Sequence, residues 1–427
     1  MSKLRELIDE FCPNGVKSMK LGEVCDFVNG FAFKSSLFRE DGEKIIRITN
    51  INGRTVDIDD VKYFYKEDYK TDLEQFSIQY GDILIAMSGA TTGKIGYYNY
   101  NDISYLNQRV GKFKPHNGIL SSRYLYHVLL ANSGTLYVLA GGGAQPNLSS
   151  TKLMETFEIP VPPIVVQEEI AKILDRFTEY TAELQAELQA RKEQYEYYRN
   201  LLLNFNHAYG AADEQQKKSV TTWGGHSYEI QWKTLGEIGK FTRGNGLQKK
   251  DFTESGIPCI HYGQIYTYYG TFATQTKSFV NQETAQKCKK AHKGDLIFAT
   301  VSENIDDVCK CVTWLGEEEI CISGDSLAFC HKQNPKYMAY CFQTYEFAKY
   351  KRSRVTGTKV IRLHQSQLEN FLVPIPPLEL QERIVVILDK FETLVNDLLQ
   401  GLPAEIAAVQ EQYEYYRNKL LTFKQVA

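Results

Sequence analysis

The sequence lacks several features that would assign a protein to a class at once. No apolar run in its 427 residues approaches the ~20 residues that a membrane-spanning helix needs, and no secretory signal is present. Its nine cysteines are an odd number without a regular framework, which is typical of reduced thiols in the cytoplasm. The formal net charge is only −3, so a site for a polyanion must come from local clustering. We therefore expect a cytoplasmic protein of two or three domains.

Motifs of catalysis are missing as well. Segment 89–95 resembles a phosphate-binding loop, but it is one residue short, and Lys94 is not followed by Ser or Thr. Cys309 and Cys311 have the wrong spacing for a zinc knuckle. Zinc-protease histidine pairs, a Gly-x-Ser-x-Gly and an Asn/Asp-Pro-Pro-Tyr/Phe amino-methyltransferase motif do not occur either. These absences favour a binding protein with no catalytic residues, no metal and no cofactor of its own.

The sequence does contain a long internal repeat. Segments 157–177 and 371–391 share a Pro-x-Pro-Pro-x3-Gln-Glu motif at an offset of 214 residues, and each leads to an identical Gln-Tyr-Glu-Tyr-Tyr-Arg-Asn. Ahead of these segments, Leu-Gly-Glu recurs at the same offset and Gly-Asp at an offset of 213. Such a repeat predicts two similar globular halves, each followed by a long helix, with pseudo-two-fold symmetry. This design suits a ligand that is itself bipartite.

The secondary-structure signals predict a mixed α/β (α+β) fold. Short β-branched and aromatic runs at 44–49, 82–87, 295–301 and 319–323 predict strands, and 122–139 and 335–352 predict helices at matching places. We expect two similar domains separated by two long antiparallel coiled-coil helices. The predicted order is a first domain at 1–158, a central helix at 159–206, a polar linker at 207–230, a second domain at 231–372 and a final helix at 373–427.

Both long helices carry a heptad stripe, in which apolar residues follow one another in steps of four and three. Two consecutive steps of four at 398–402–406, beside Gly401 and Pro403, predict a kink or break. One stripe alone would also suit an ordinary amphipathic helix, but two copies favour a paired spacer that sets a fixed separation. The predicted seam consists of Ile170, Leu174, Phe177, Leu184, Leu188, Tyr195, Tyr198, Ile384, Leu388, Phe391, Tyr413 and Tyr416.

Local clusters of basic and amide side chains are the candidate ligand contacts. A strip at 349–362 holds six Lys and Arg residues and no acid, so it can neutralise several phosphates, although a solvated helix end would look similar. Arg, Asn and Gln at predicted strand ends and turns can read base edges, although they are also common turn caps. The candidates for DNA contact are Arg47, Asn50, Asn107, Arg109, Gln145, Asn147, Arg243, Asn245, Gln264, Lys351, Arg352, Arg354, Lys359 and Arg362.

Taken together, the chain resembles the specificity subunit of a type I restriction-modification enzyme. The resemblance covers nearly all 427 residues and rests on the Leu-Gly-Glu openings, the Gly-Asp strands, the Pro-x-Pro-Pro-x3-Gln-Glu helix entries and the paired Gln-Tyr-Glu-Tyr-Tyr-Arg-Asn motifs. It implies two target-recognition domains that each read half of a bipartite double-stranded DNA site. It also implies helices that set the gap and dock two modification subunits.

The resemblance assigns the chemistry to partner subunits. S-adenosylmethionine is expected on the modification subunits, and ATP and Mg²⁺ on the restriction and translocase subunits that join them. Two alternatives remain at this point. The chain could be the specificity chain of a related system without a translocase, or a coiled-coil adaptor that holds two protein ligands apart and binds no DNA.

Overall fold

The computed structural model describes residues 2–142, 146–205, 218–396 and 401–424. The chain forms two compact units. Unit 1 comprises Met1–Gln185 together with Glu405–Ala427, and unit 2 comprises Ala186–Ala404. The first boundary between the units therefore falls inside the first long helix. No helix in the described part of the chain is both long and apolar enough to cross a membrane.

Unit 1 combines two four-stranded sheets with helices that share a hydrophobic core with one of them. Its elements are α1 Ser2–Phe11, β1 Ser18–Lys20, α2 Leu21–Val24, β2 Cys25–Asn29, β3 Glu43–Ile46, β4 Lys62–Phe64, β5 Ser77–Ile78, β6 Ile83–Ala86, β7 Ile95–Tyr97, β8 Ser104–Leu106, β9 Val110–Pro115, α3 Ser122–Ala131, α4 Ser133–Leu139, α5 Ser150–Thr156, β10 Glu158–Pro160 and the first part of α6 Ile164–Leu203. The sheets have the orders β2-β9-β6-β7 and β4-β3-β8-β5.

Unit 2 repeats this plan with additional strands. Its elements are β11 Lys218–Trp223, β12 His226–Thr234, α7 Leu235–Ile238, β13 Gly239–Arg243, β14 Phe252–Thr253, β15 Ile257–Ile260, α8 Tyr262–Thr267, β16 Phe272–Ala273, β17 Ser278–Val280, α9 Gln282–Lys287, β18 Lys289–Ala291, β19 Leu296–Ala299, β20 Val301–Ser302, β21 Cys311–Trp314, β22 Ile320–Ile322, β23 Ser326–His331, α10 Pro335–Cys341, α11 Tyr345–Arg352, β24 Ile361–Arg362, α12 Gln365–Glu369, β25 Leu372–Ile375 and α13 Leu378–Asn396. The last helix, α14 Leu402–Leu420, belongs mostly to unit 1.

The two units share their sheet topology, which confirms the mixed α/β fold. The order β2-β9-β6-β7 in unit 1 corresponds to β13-β23-β19-β21 in unit 2. Each unit has a second sheet that contains one parallel pair of strands. The pair is β3 with β8 in unit 1 and the equivalent β15 with β22 in unit 2. A hydrophobic core in unit 1 lies between the sheet that contains β6 and helices α3 to α6, where the repeated Ile170 and Leu174 are fully buried.

Two of the predicted helices are interrupted in the structure. The helix expected at 122–139 is interrupted at Asn132, whose side chain bonds the carbonyl of Val128. The helix expected at 335–352 is interrupted before Thr344, whose hydroxyl accepts from the amide of Phe347 and so caps a second helix. In both cases a polar side chain competes with the backbone for its hydrogen bonds.

The predicted linker 207–230 is wrong over its second half, since residues 218–230 belong to a β-hairpin. Strands β11 and β12 pair in six positions, and β12 continues onto β25. Gly224 and Gly225 form the turn with φ of 56° and 81°, a left-handed pair that favours two-residue hairpins. The Gly-Gly pair is the sequence signal that indicates this hairpin. Residues 207–217 lie outside the described residues.

A buried glutamine in the first turn of each long helix joins the helix to its domain by hydrogen bonds. Gln167 accepts from the amide of Ser121 and donates to the carbonyl of Pro162. Gln381, 214 residues later, accepts from the amide of Asn334 and donates to the carbonyl of Pro376. Both side chains are fully buried, so the amides satisfy backbone groups that would otherwise be costly to bury. The repeated glutamine is therefore a structural residue.

The repeated residues of the long helices make one aromatic contact twice. In unit 1 the ring of Phe177 stacks on Tyr416 at 5.5 Å and 25°, and in unit 2 Phe391 stacks on Tyr198 at 5.6 Å and 26°. In unit 1 the early part of α6 thus packs on the late part of α14, and in unit 2 the late part of α6 packs on α13. In each unit α6 is antiparallel to its partner helix. The expected break is present at Gly401, which is a bend directly before α14 begins at Leu402. The described part of α13 reaches Asn396, and residues 397–400 lie outside the described residues.

Most predicted seam residues are buried in these contacts. Leu184, Tyr195 and Tyr413 are almost completely buried, whereas Tyr198 is about one-third exposed. The fully buried members are Ile170, Leu174, Ile384 and Leu388, and the partly buried members packed on the cores are Phe177, Leu188, Phe391 and Tyr416. The heptad stripe thus supplies core contacts to both units.

A polar network fixes helix α3 to helix α6 in unit 1. The carboxylate of Asp175 accepts from the guanidinium of Arg123 and from Nε2 of His127, the latter at 2.7 Å. Nδ1 of His127, which is fully buried, lies 3.1 Å from the hydroxyl of Tyr413 on α14. Arg123 in turn lies over the rings of Tyr97 and Tyr126.

Unit 2 has a related arrangement at the same repeat positions. Asp389 accepts from Lys336 at 2.6 Å and from the hydroxyl of Tyr340 at 2.7 Å. The aspartate is therefore kept in both halves, while the basic residue and the aromatic partner change. Each unit anchors its domain to its long helix through one carboxylate.

Candidate nucleic-acid interface

In unit 1, two of the predicted contact residues meet at the end of strand β6. The amide of Met87 donates to the carbonyl of Arg109 at 2.9 Å, and the carbonyl of Met87 accepts from the amide of Leu148 at 2.8 Å. These bonds bring the residue before β9 next to the segment before α5. The side chains of Arg109 and Asn147, both exposed, then lie 3.4 Å apart from Nη1 to Oδ1.

In unit 2, two further predicted contact residues meet on a shared carboxylate. Nη2 of Arg362 lies 3.3 Å from Oδ1 of Asp325, and Nη2 of Arg243 lies 3.9 Å from the same oxygen. Nε of Arg243 also donates to the carbonyl of Gly324 at 3.2 Å. The side chain of Arg243 is 62% exposed, so the carboxylate orients a guanidinium that still reaches solvent.

A groove of about 390 Å³ opens beside this group. Arg243 and Asp325 form part of its lining, together with Gln248, Lys249 and His261. Burial lowers the pKa of His261, with a further lowering from the charge of Lys249, so the ring is neutral at neutral pH. The wall of the groove therefore offers hydrogen-bonding groups and two cations to a polyanion.

One of the predicted contacts in unit 1, Asn50, is a turn cap. Asn50 is buried, its Oδ1 accepts from the amide of Arg47 at 2.9 Å, and its Nδ2 donates to the carbonyl of Asp60 at 2.9 Å. Its side-chain amide is thus fully used within the fold. Arg47 is partly buried near Asp60. The backbone of half-buried Asn107 bonds Ile46 and Val110. Gln145 lies outside the described residues.

Two predicted contacts in unit 2 bond backbone amides through their side chains. Gln264 is buried; its Oε1 accepts from the amide of His261 and its Nε2 donates to the hydroxyl of Ser278. Asn245 is exposed, and its Oδ1 accepts from the amide of Lys289 at 2.8 Å. Both the oxygen and the nitrogen of the buried Gln264 amide are bonded within the fold, so this amide cannot read a base. The prediction of Gln264 as an accessible contact is therefore wrong.

The basic strip at 349–362 is less uniform than its sequence indicates. Lys351 is buried, and its ammonium donates to the carbonyls of Asp306 and Val308, so it is not available to phosphate. Burial lowers the pKa of Lys351. Arg352 pairs with the carboxylate of Asp306 at 2.8 Å, and Arg354 lies over the ring of Tyr350. Lys359 is exposed, and Arg362 belongs to the group around Asp325.

One member of these groups, Asp325, is not among the predicted contacts, because an acid is an unexpected part of a polyanion site. Its place in the fold matches that of a predicted contact, since Asp325 lies just before β23 as Arg109 lies just before β9. Extending the repeat alignment through the strand ends would have reached this position.

Two equivalent domains, each with polar side chains grouped at the same strand ends, define a duplicated recognition protein. Comparison with known proteins gives the class. The model of the type I restriction modification DNA specificity domain matches residues 13–194 and again 229–408. A type I restriction enzyme specificity subunit of Escherichia coli is 32% identical over 280 residues, 62% of this chain and 63% of that protein. A putative type I restriction enzyme specificity subunit of Haemophilus influenzae is 30% identical over 384 residues, 85% and 88% of the two chains.

Solved structures share the fold. The S subunit of a type I restriction-modification system from M. genitalium superposes with a TM-score of 0.55 at 16% identity, and the alignment covers 96% of both chains. A structure from a study of type I complex assembly and conformational transition gives the same TM-score at 17% identity. The chain therefore belongs to the family of type I restriction-modification specificity subunits and carries two of its DNA-recognition domains.

Proposed function

We propose that the chain directs a type I restriction-modification complex to a bipartite double-stranded DNA target, with each unit reading one half. The observation that carries this proposal is the pair of equivalent sites with different side chains, Arg109 with Asn147 in unit 1 and Arg243 with Arg362 in unit 2. A shared backbone arrangement that carries different side chains suits two half-sites of different sequence, since base edges are read by individual donors and acceptors.

The long helices are proposed to set the gap between the half-sites. Helix α6 is continuous over 40 residues, about 60 Å at 1.5 Å per residue, and it passes from one unit to the other. The repeated aromatic stacks hold it in register with α13 and α14. A rigid element of fixed length is what a constant number of unread base pairs requires.

The same helices are proposed to dock two modification subunits. Tyr197 and Tyr415 occupy the same position in the two Gln-Tyr-Glu-Tyr-Tyr-Arg-Asn copies, and their side chains are 64% and 59% exposed. The repeat thus keeps aromatic groups on the surface as well as in the core. Two identical exposed aromatic sites suit two copies of one partner, because tyrosine is enriched among the residues that dominate protein interfaces.

Alanine at either tyrosine should therefore change the stoichiometry of the complex. We expect Tyr197→Ala and Tyr415→Ala each to weaken one modification site about 30-fold, which is the effect of a strong interface residue. Native mass spectrometry of the co-purified complex should then show one modification subunit per chain, and none for the double variant. Tyr345→Ala is the matched control. The side chain of Tyr345 is 62% exposed, but it is not repeated, since position 132 of the first half, which corresponds to it, is Asn. Two bound subunits in the double variant would remove these tyrosines from the interface.

The chemistry is proposed to lie on the partners. The chain itself is assigned no catalytic role. Modification subunits would bring S-adenosylmethionine, and restriction and translocase subunits would bring ATP and Mg²⁺. This division is supported by the absence of the corresponding motifs from the sequence.

Genome-wide mapping of adenine methylation tests the proposal. Cells that express the modification partner are compared with and without this chain. Loss of one bipartite motif when the chain is deleted supports the specificity role and gives both half-sites and the gap. An unchanged methylation pattern, with the chain expressed and the partner active, would favour an adaptor that binds no DNA.

A further inference from the structure

We propose that Arg109 with Asn147, and Arg243 with Asp325 and Arg362, are the base-reading groups of the two domains. Each group would meet a base pair of its half-site through the major groove. The inference rests on the proposed function and deepens it, because it names the side chains that set the two specificities. We call them the first reading group and the second reading group.

The two reading groups occupy the same place in the two folds. In unit 1 the amide of Met87 donates to the carbonyl of Arg109, and the amide of Leu148 donates to the carbonyl of Met87. In unit 2 the amide of Thr300 donates to the carbonyl of Asp325, and the amide of Leu363 donates to the carbonyl of Thr300. Both groups therefore sit on three chain segments that are joined by the same backbone bonds.

The neighbouring strand is fixed in the same way. The amide of Gly30 donates to the carbonyl of Val110, and the amide of Gly244 donates to the carbonyl of Ser326, both at 3.0 Å. A Cβ at Gly30 would lie 1.9 Å from a backbone oxygen, and a Cβ at Gly244 would lie 2.1 Å from one. Only glycine allows this close approach, so the backbone under each reading group leaves little room for change.

The side chains on this constant frame differ completely. Where unit 1 has Arg109, unit 2 has Asp325, and where unit 1 has Asn147, unit 2 has Arg362. Packing does not explain the difference, since none of these four residues is buried. A rigid frame that carries different, solvent-accessible polar groups in its two copies is the arrangement that two unlike half-sites demand.

The second reading group is organised to present arginine to guanine. The single carboxylate of Asp325 serves two guanidinium groups, so the group keeps a net positive charge. The bond from Nε of Arg243 to the carbonyl of Gly324 fixes the direction of the side chain, and Nη2, at 3.9 Å from Asp325, is beyond hydrogen-bond distance of the carboxylate and can still donate to a base. Arginine pairs bidentately with O6 and N7 of guanine, and this is the commonest specific contact in the major groove.

The first reading group offers a different pattern. Nη1 of Arg109 is 3.4 Å from Oδ1 of Asn147, which leaves the amide nitrogen of Asn147 to donate. The group combines one guanidinium with one amide and contains no carboxylate. It should therefore read a base pair other than the one that the second group reads. Lys249, in the groove beside the second group, is placed to hold a phosphate rather than a base.

The test uses the full chain together with its modification partner and maps methylated motifs across the genome. Arg243→Ala should relax one base pair of the second half-site, so that the preference for guanine falls about tenfold or more while the first half-site stays unchanged. Arg109→Ala should relax the first half-site alone. Asp325→Asn keeps the shape of the side chain but removes its charge, and it should relax the same base pair as Arg243→Ala.

Lys293→Ala is the matched control. This exposed lysine pairs with Glu317 just before strand β19, whereas Thr300, which bonds Asp325, follows the other end of that strand. Its motif should equal that of the unaltered chain. Unchanged motifs in all reading-group variants would overturn the inference, and so would a uniform loss of methylation without relaxation, which indicates phosphate contacts. Absence of any bipartite motif with the unaltered chain would instead defeat the proposed function.

Discussion

Four residues inserted into helix α6 after Leu188, with four more inserted between Asn396 and Leu402, should lengthen the gap in the DNA target by about two base pairs. Four helical residues add ~6 Å, and a base pair occupies ~3.4 Å. Four residues are also close to one full turn, so the residues beyond the insertion keep nearly the same orientation. The two insertion sites lie close to the two places where the chain passes between its units.

Methylated-motif mapping measures the outcome, with both half-sites expected to keep their sequences. The paired insertion is needed because the seam holds α6 against α13 and α14, and lengthening one helix alone would misalign the stacks on Phe177 and Phe391. Four residues inserted between Gly224 and Gly225 are the control. That hairpin turn has open space around both glycines, and the insertion there should leave the gap unchanged. A constant gap after the paired insertion would refute the spacer role.

Alanine at Asp175 should destabilise unit 1 by about 2 kcal/mol, which is the cost of leaving a buried polar group without its hydrogen-bond partner. The variant leaves His127, which is fully buried, without its acceptor, and it leaves Arg123 without its ion-pair partner. Chemical denaturation followed by tyrosine fluorescence measures the loss. Glu179→Ala, one turn further along α6 on an exposed residue, is the control and should change stability by less than about 0.5 kcal/mol. Equal stability of the two variants would contradict the anchoring role of Asp175.

The same network should make unit 1 sensitive to acid. Burial lowers the pKa of His127 below its ordinary 6.5, against an opposing hydrogen bond to Asp175, so the unfolded chain takes up a proton first. Stability is then lost as the pH falls below about 6.5. Burial alone would raise the pKa of the Asp175 carboxyl, but hydrogen bonds from His127 and Arg123 hold it below 3.8. The stabilisation that the Asp175 carboxylate contributes is present above pH 3.8 and is lost at lower pH.

His127→Gln separates the two contributions. Glutamine can still bond Asp175 but does not titrate, so the unfolding free energy of this variant should be flatter than that of the unaltered chain between pH 6.5 and 5. The loss of stability that protonation of Asp175 causes at lower pH should remain in both proteins, because both keep that carboxylate. The other charged and aromatic groups around the imidazole, which are Arg123, Tyr126, Tyr413 and Arg417, remain in both proteins. Parallel curves over the whole range would show that His127 does not titrate on unfolding.

The repeat predicted the architecture well because its matching residues carry the frame. Gln167 and Gln381 cap buried backbone groups, and Phe177 and Phe391 make the repeated stacks, so the sequence preserves what the fold requires. The hairpin at 218–234 was missed because a polar, alternating strand resembles a linker when composition alone is considered. Its Gly-Gly turn carried the information.

The contact residues were predicted less well, for a physical reason. An amide that caps a turn and an amide that reads a base are the same group, and only burial separates Asn50 and Gln264 from Asn147. Charge clustering has the same weakness: Lys351 counts toward a basic strip, but its ammonium bonds two carbonyls inside the fold. Proximity across the chain, as between Arg243 and Arg362, is not visible in local sequence at all.

Unit 1 is completed by residues from the far end of the chain. The amide of Val16 donates to the carbonyl of Lys424 at 2.8 Å, and Tyr413 and Leu420 belong to the same core as Leu4 and Ile170. On the ribosome, every residue of unit 2 therefore emerges before unit 1 has all of its parts. Synthesis of unit 1 begins first, yet the surface of α6 that carries Phe177 cannot be covered by Tyr416 until α14 has been made.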